Sequence, residues 1–160
     1  AQLQAIVSSP VVAREIDPKR VFLLGFSQGA LHAFQVAATH PSQYSGIISL
    51  SPGGMPWLFG AEQSSISKGA QLRAILVGGT GEPKAQQDLI PYLDRLMQSA
   101  GWSTLILSHD GAHHFPTDWV ERVPHLAAFL LSREPTEIHP SSSAPTVTPK
   151  PFTGRRPSKN

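Results

Sequence analysis

Ser27 lies between two glycines in the run Gly25-Phe26-Ser27-Gln28-Gly29. A serine hydroxyl attacks a carbonyl when a base takes its proton and hydrogen-bond donors receive the oxyanion that forms. Base candidates crowd one segment, His109-Asp110-Gly111-Ala112-His113-His114-Phe115-Pro116. The acid candidate is Glu82, in Gly78-Gly79-Thr80-Gly81-Glu82-Pro83; Asp88 and Asp110 are the fallbacks. Asp88 falls in the helix that follows, and Asp110 is too close to His113 in sequence to reach round it. Taken in chain order, Ser27, Glu82 and His113 offer a nucleophile, an acid and a base, which is acyl-transfer chemistry. The three histidines also suit a metal, but such a site needs further ligands and an open position, so neither metal nor cofactor is expected. His32, on a helix, reads as a packed or surface histidine.

The elements around these residues give the motif its meaning. Val21 to Leu24 is an apolar run long enough for a buried strand, and Ala30 to Thr39 has Leu31, Phe34 and Ala38 at helical spacing. Strand, Gly-x-Ser-x-Gly, helix is the context of a nucleophile elbow. The bend requires a strained serine, and side chains at Gly25 or Gly29 are expected to collide with the neighbouring strand or helix. Gln28 then opens a helix, and its N–H is placed to hold an oxyanion.

Further strands are predicted over Tyr44–Leu50, Leu72–Val77 and Trp102–Ser108. Helices are predicted over Ala85–Ala100, stopped by Gly101, and over Asp118–Ser132, capped by Thr117 and bent at Pro124. Gln2 to Glu15 also reads as helical, with Leu3, Ile6, Val7, Val11 and Val12 apolar and Pro10 as a kink or break. The alternation makes an α/β fold, a mostly parallel sheet with helices on both faces, and ligands gather at the carboxyl ends of such strands. Ser27, Glu82 and His113 all fall at strand ends. The loop Ser51–Gly60 carries Met55, Trp57, Leu58 and Phe59, read either as core filling or as the wall of an apolar substrate pocket.

At 160 residues the chain is sized for one domain, with residues 1–133 able to form a core and residues 134–160 a disordered Pro/Ser-rich tail. That tail ends with Lys150, Arg155, Arg156 and Lys159, read as solvated charge. The formal net charge of +2 gives no case for nucleic acid. No cysteine is present, so disulfides and thiol nucleophiles are excluded. No apolar run approaches the roughly 18 residues of a membrane span. The expected compartment is the cytoplasm.

Asp17-Pro18-Lys19-Arg20-Val21-Phe22-Leu23-Leu24-Gly25-Phe26-Ser27-Gln28-Gly29, Gly79-Thr80-Gly81-Glu82 and Gly111-Ala112-His113-His114-Phe115-Pro116 together resemble the α/β-hydrolase superfamily. The resemblance is to its small esterases of the phospholipase/carboxylesterase type, over residues 1–133. It implies a serine hydrolase that cleaves small carboxylic esters through an acyl-enzyme, with Ser27 as nucleophile, His113 as base, Glu82 as acid and the Gln28 N–H in the oxyanion hole. Among the histidines, His113 fits the His-x-Phe-Pro spacing of these esterases. Peptidase and acyltransferase chemistry run on the same triad. Two departures stand out. The family's acid is usually Asp, where this chain has Glu82. The family also has several strands before the elbow, one loop of which gives the second oxyanion donor, whereas only a helix-like segment precedes Val21. The first strand is then an apolar edge, and a homodimer or a missing N-terminal half is expected to cover it. The alternative function is a non-catalytic hydrolase remnant that acts as a binding module or is inactive.

Overall fold

The computed structural model describes residues 5, 9–12, 14–17, 20–54 and 72–132. Trp57, Leu58 and Phe59 and the segment 134–160 lie outside the described residues. In chain order the elements are β1 (Phe22–Phe26), α1 (Gln28–Thr39), β2 (Gly46–Leu50), β3 (Arg73–Gly79), α2 (Lys84–Ser99), β4 (Ser103–His109) and α3 (Trp119–Leu131). The four strands are all parallel and lie in the order β1-β2-β3-β4. Short apolar runs between helices thus form the parallel α/β sheet that the sequence pattern implies.

Each face of the sheet carries its own core. On one face, Leu31, Phe34, Ala37 and Ala38 of α1 and Leu89, Leu93, Leu96 and Met97 of α2 pack on Ile47, Ala74 and Leu76. Trp102 closes that cluster, its ring 5.7 Å from Phe34. On the other face, Leu126, Phe129 and Leu130 of α3 pack on Leu50, Ile75 and Val77. The central strands are therefore apolar on both sides. Burying any one of these large side chains contributes about 1.5–3 kcal/mol.

β1 is longer than its apolar run. It continues through Gly25 and Phe26, which pair with Ser49 and Leu50 of β2. Backbone pairing carries the strand up to the serine. Among the described residues β1 pairs with β2 alone, and Leu24 is 50% exposed.

Three local expectations change. Residues 9–12 and 14–16 are turns and bends, and Val11 is 80% exposed. The amphipathic pattern around it fails because Pro10 interrupts helical hydrogen bonding; the Val12 N–H bonds Ser9 Oγ at 3.4 Å instead. Helix α3 is capped by Asp118 in position, without a side-chain cap bond, rather than by Thr117. Asp118 accepts from Arg122 at 2.7 Å, and that bond holds its carboxyl below the usual carboxylate range. The same guanidinium donates to the Ser108 carbonyl at 3.1 Å, fastening α3 to β4. Finally, β2 begins at Gly46 rather than at Tyr44. Helix α2 is continuous through Pro91 and α3 through Pro124. Among the described residues no helix is long and apolar enough to cross a membrane.

Candidate active site

The turn between β1 and α1 places Ser27 at φ 57° and ψ −123°, a region where L-residues are strained by about 1–3 kcal/mol. Three hydrogen bonds over-determine it. The Ser27 N–H donates to the Leu50 carbonyl at 3.0 Å, and the Ser27 carbonyl accepts from Ala30 and Gly53, each at 3.1 Å. Among these three motif residues the positive φ belongs to the serine, not to the flanking glycines.

The two glycines differ in what they do. A Cβ on Gly25 would lie 2.1 Å from the Gly29 carbonyl oxygen, so the close approach of strand and helix demands glycine there. A Cβ on Gly29 would meet nothing within 4 Å. The expected collision at Gly29 is therefore absent, because that residue already lies in α1 and faces open space. Gly25→Ala is expected to cost about 3 kcal/mol or more, since backbone atoms must move. Gly29→Ala is expected to raise stability by up to about 1 kcal/mol, as in other helices. Urea denaturation of the two variants checks both signs.

Gln28 is the first residue of α1, and the N–H groups of a first helical turn lack intrahelical acceptors. Its N–H is thus available beside Ser27.

Glu82 and His113 are carried by two loops that touch. The Gly81 N–H donates to the Gly111 carbonyl at 2.7 Å and the Thr80 N–H to the His109 carbonyl at 3.0 Å. A Cβ on Gly79 would lie 2.5 Å from Gly111 O, which explains a glycine at the end of β3. Gln87, which the sequence reading did not single out, clamps the acid loop: its Nε2 donates to the carbonyls of Thr80 at 3.0 Å and Glu82 at 2.7 Å. Its position, on the first turns of the helix after an acid-bearing loop, is the signal that could have found it. Gln87→Leu is expected to lower stability by about 1 kcal/mol by removing two hydrogen bonds, one exposed and one part-buried, read by thermal denaturation.

The structure brings Ser27, His113 and Glu82 together. His113 Nε2 is 2.9 Å from Ser27 Oγ, and His113 Nδ1 is 3.3 Å from Glu82 Oε1. The Glu82 side chain is 1% exposed and that of His113 33%. The fallback carboxylates serve elsewhere. Asp88 pairs with Lys84 on the surface of α2, and Asp110 is exposed. His114 Nδ1 bonds the Phe115 carbonyl at 2.7 Å. His109 is buried, its ring 5.2 Å from that of His114. His32 lies exposed on α1, bonded to Gln35. Among the described residues no group of three or more His, Cys, Asp or Glu could hold a metal ion.

An aromatic wall flanks the histidine, and sequence reasoning missed it. Phe26, within the serine motif, lies 4.9 Å from the His113 ring and 5.1 Å from that of Phe115. Phe115 in turn meets Trp119 edge-on at 5.8 Å. Phe115 remains 42% exposed.

The family model described as phospholipase/carboxylesterase matches residues 1–83, more than half of the chain. The chain belongs to the phospholipase/carboxylesterase family. Its fold is that of the α/β hydrolases and is shared with solved structures. SOBER1 of Arabidopsis thaliana matches with a TM-score of 0.62 at 20% identity, covering 82% of this chain and 62% of that one. A carboxylesterase of Mesorhizobium loti matches at 0.58 and 14% identity, covering 79% of this chain and 57% of its own. In sequence, NocK of Nocardia uniformis subsp. tsuyamanensis is 36% identical over 48 residues, 30% of this chain and 14% of its own length. This family member thus spans less than two thirds of each of these relatives. The family match includes Ser27 and Glu82 and stops before His113, which the fold carries to the serine from the end of β4.

Proposed function

We propose that this chain is a serine hydrolase of carboxylic esters, with Ser27 as nucleophile, His113 as general base and Glu82 as the acid. The observation that carries the reading is the 2.9 Å contact between Ser27 Oγ and His113 Nε2, with a buried carboxylate at the opposite ring nitrogen. Glu82 favours the tautomer with its proton on Nδ1, which leaves Nε2 free to accept from the serine. As Oγ bonds to the ester carbonyl carbon, its proton passes to Nε2. The carbonyl electron pair moves to oxygen, where the Gln28 N–H holds it. Collapse expels the alkoxide, which takes the proton from His113. Water then repeats the sequence on the acyl-enzyme and releases the acid. General-base assistance is worth about 10²–10⁴-fold, and each oxyanion donor about 10²–10³-fold.

The exposed ring of Phe115 packs on Phe26, which itself lies against His113, and favours an apolar acyl or aryl group, in keeping with the expectation from Trp57, Leu58 and Phe59. The likeness in fold to an acylaminoacyl peptidase of Pyrococcus horikoshii, TM-score 0.58, makes amide cleavage the second arm of the test. p-Nitrophenyl acetate through decanoate and matched p-nitroanilides are incubated with the chain. The expected result is ester turnover with a nitrophenolate burst, and slower or no anilide cleavage. A folded chain that turns over no ester overturns the reading in favour of the binding-module alternative, for which the side of β1 that pairs with no described strand is the feature to pursue.

A further inference from the structure

The loop after β2 is built into the serine turn from below. Ser51 is buried at φ 44°, its N–H donating to the Val77 carbonyl at 2.7 Å. Two residues on, the Gly53 N–H donates to the Ser27 carbonyl at 3.1 Å. Glycine at 54 has a structural reason, a φ of +136° together with a Cβ position 2.3 Å from Leu31 Cδ1. Gly53 has neither. Its φ is not positive, and the three atoms nearest to a Cβ built on it all belong to Ser27, with Oγ at 3.0 Å and the backbone carbons at 3.7 Å. Among the described residues, a methyl group at 53 would therefore meet the serine hydroxyl first.

We infer that Gly53 is a positioning residue for the nucleophile, its missing side chain holding open the flank of Ser27 Oγ. The inference rests on the esterase reading above. Oγ is tied to His113 Nε2 at 2.9 Å. A carbon at 3.0 Å is tighter than ordinary van der Waals contact, so the hydroxyl must give by a few tenths of an ångström, which weakens its bond to the base. Misplacement of a reacting group by about 1 Å costs on the order of 100-fold in rate, so a shift of this size is expected to cost about 10-fold. The loop's backbone bonds remain in place, so substrate affinity and folding are affected far less than chemistry.

The test is a double-mutant cycle of Gly53→Ala and Ser27→Ala on the full chain, with p-nitrophenyl acetate kinetics and thermal melting. Gly53→Ala is expected to lower kcat about 10-fold with KM unchanged. It is also expected to lower the melting temperature by about 3 °C in the wild-type background and not at all in the Ser27→Ala background, where the clashing oxygen is gone. Gly54→Ala is the contrast, expected to lower the melting temperature in both backgrounds. Unchanged kcat for Gly53→Ala, or an equal melting loss in both backgrounds, overturns the inference while active wild type leaves the esterase reading standing. Inactive wild type overturns the esterase reading first, and the inference with it.

Discussion

Ser27→Ala is expected to lower kcat for p-nitrophenyl ester hydrolysis by about 10⁶-fold, to the residual rate that binding and the oxyanion donor alone sustain. The effect is large because, in the proposed mechanism, the whole reaction path runs through one bond, from Oγ to the acyl carbon. The substitution removes a single oxygen and retains Cβ, so the strained turn and its three backbone hydrogen bonds persist. Melting temperature is therefore expected to change little. Steady-state kinetics beside a melting curve separate loss of chemistry from loss of fold. Retained turnover in this variant would place the nucleophile elsewhere.

Glu82→Gln has the second largest expected effect, about 10⁴-fold in kcat. The carboxylate accepts only, so it fixes the His113 proton on Nδ1. An amide can present its NH₂ to Nδ1, which drives the proton to Nε2, and a protonated Nε2 cannot accept from Ser27. Folding responds differently. Glu82 is 4% exposed and one of its oxygens, Oε2, is buried without a partner among the described residues. Replacing a buried charge with a neutral isostere is expected to leave stability equal or higher. Activity and stability should thus move apart, which a merely structural Glu82 could not produce. Glu82→Asp keeps the charge and withdraws it by one methylene from a contact that is already 3.3 Å. An intermediate loss, about 100-fold, is expected for it. The Glu82 side chain spans from the turn after β3 to within 3.3 Å of the imidazole.

Fold and site were legible in the sequence to different depths. The four strands and three helices announce themselves because a parallel sheet buried on both faces needs continuous apolar runs, and Val77 or Ile47 cannot be placed otherwise. Strand ends were less legible. Pairing of Gly25 and Phe26 with β2 extends β1 past its apolar residues, and no local pattern records a partner strand. Ser27, Glu82 and His113 could be named from motif and order. Their meeting could not, because 86 residues separate the serine from the histidine and 31 separate the histidine from the acid. Gln87, Phe26 and Gly53 escaped notice for the same reason: each acts across loops that only the fold brings together. In the Gln2–Glu15 reading the break expected at Pro10 is present, but residues 9–12 and 14–16 are turns and bends rather than a second short helix, because apolar spacing alone does not stabilise so short a piece after the proline.

The central claim is that Ser27 is an activated nucleophile, and labelling with a fluorophosphonate tests it most directly. The reagent needs no matched substrate and records covalent attack at the reacting oxygen. Intact-mass and peptide mass spectrometry of the full chain are predicted to show one adduct, on the peptide containing Ser27. That adduct should vanish in Ser27→Ala and form far more slowly in His113→Ala. An adduct on a different serine, or none on a chain shown to be folded by its melting transition, would contradict the account.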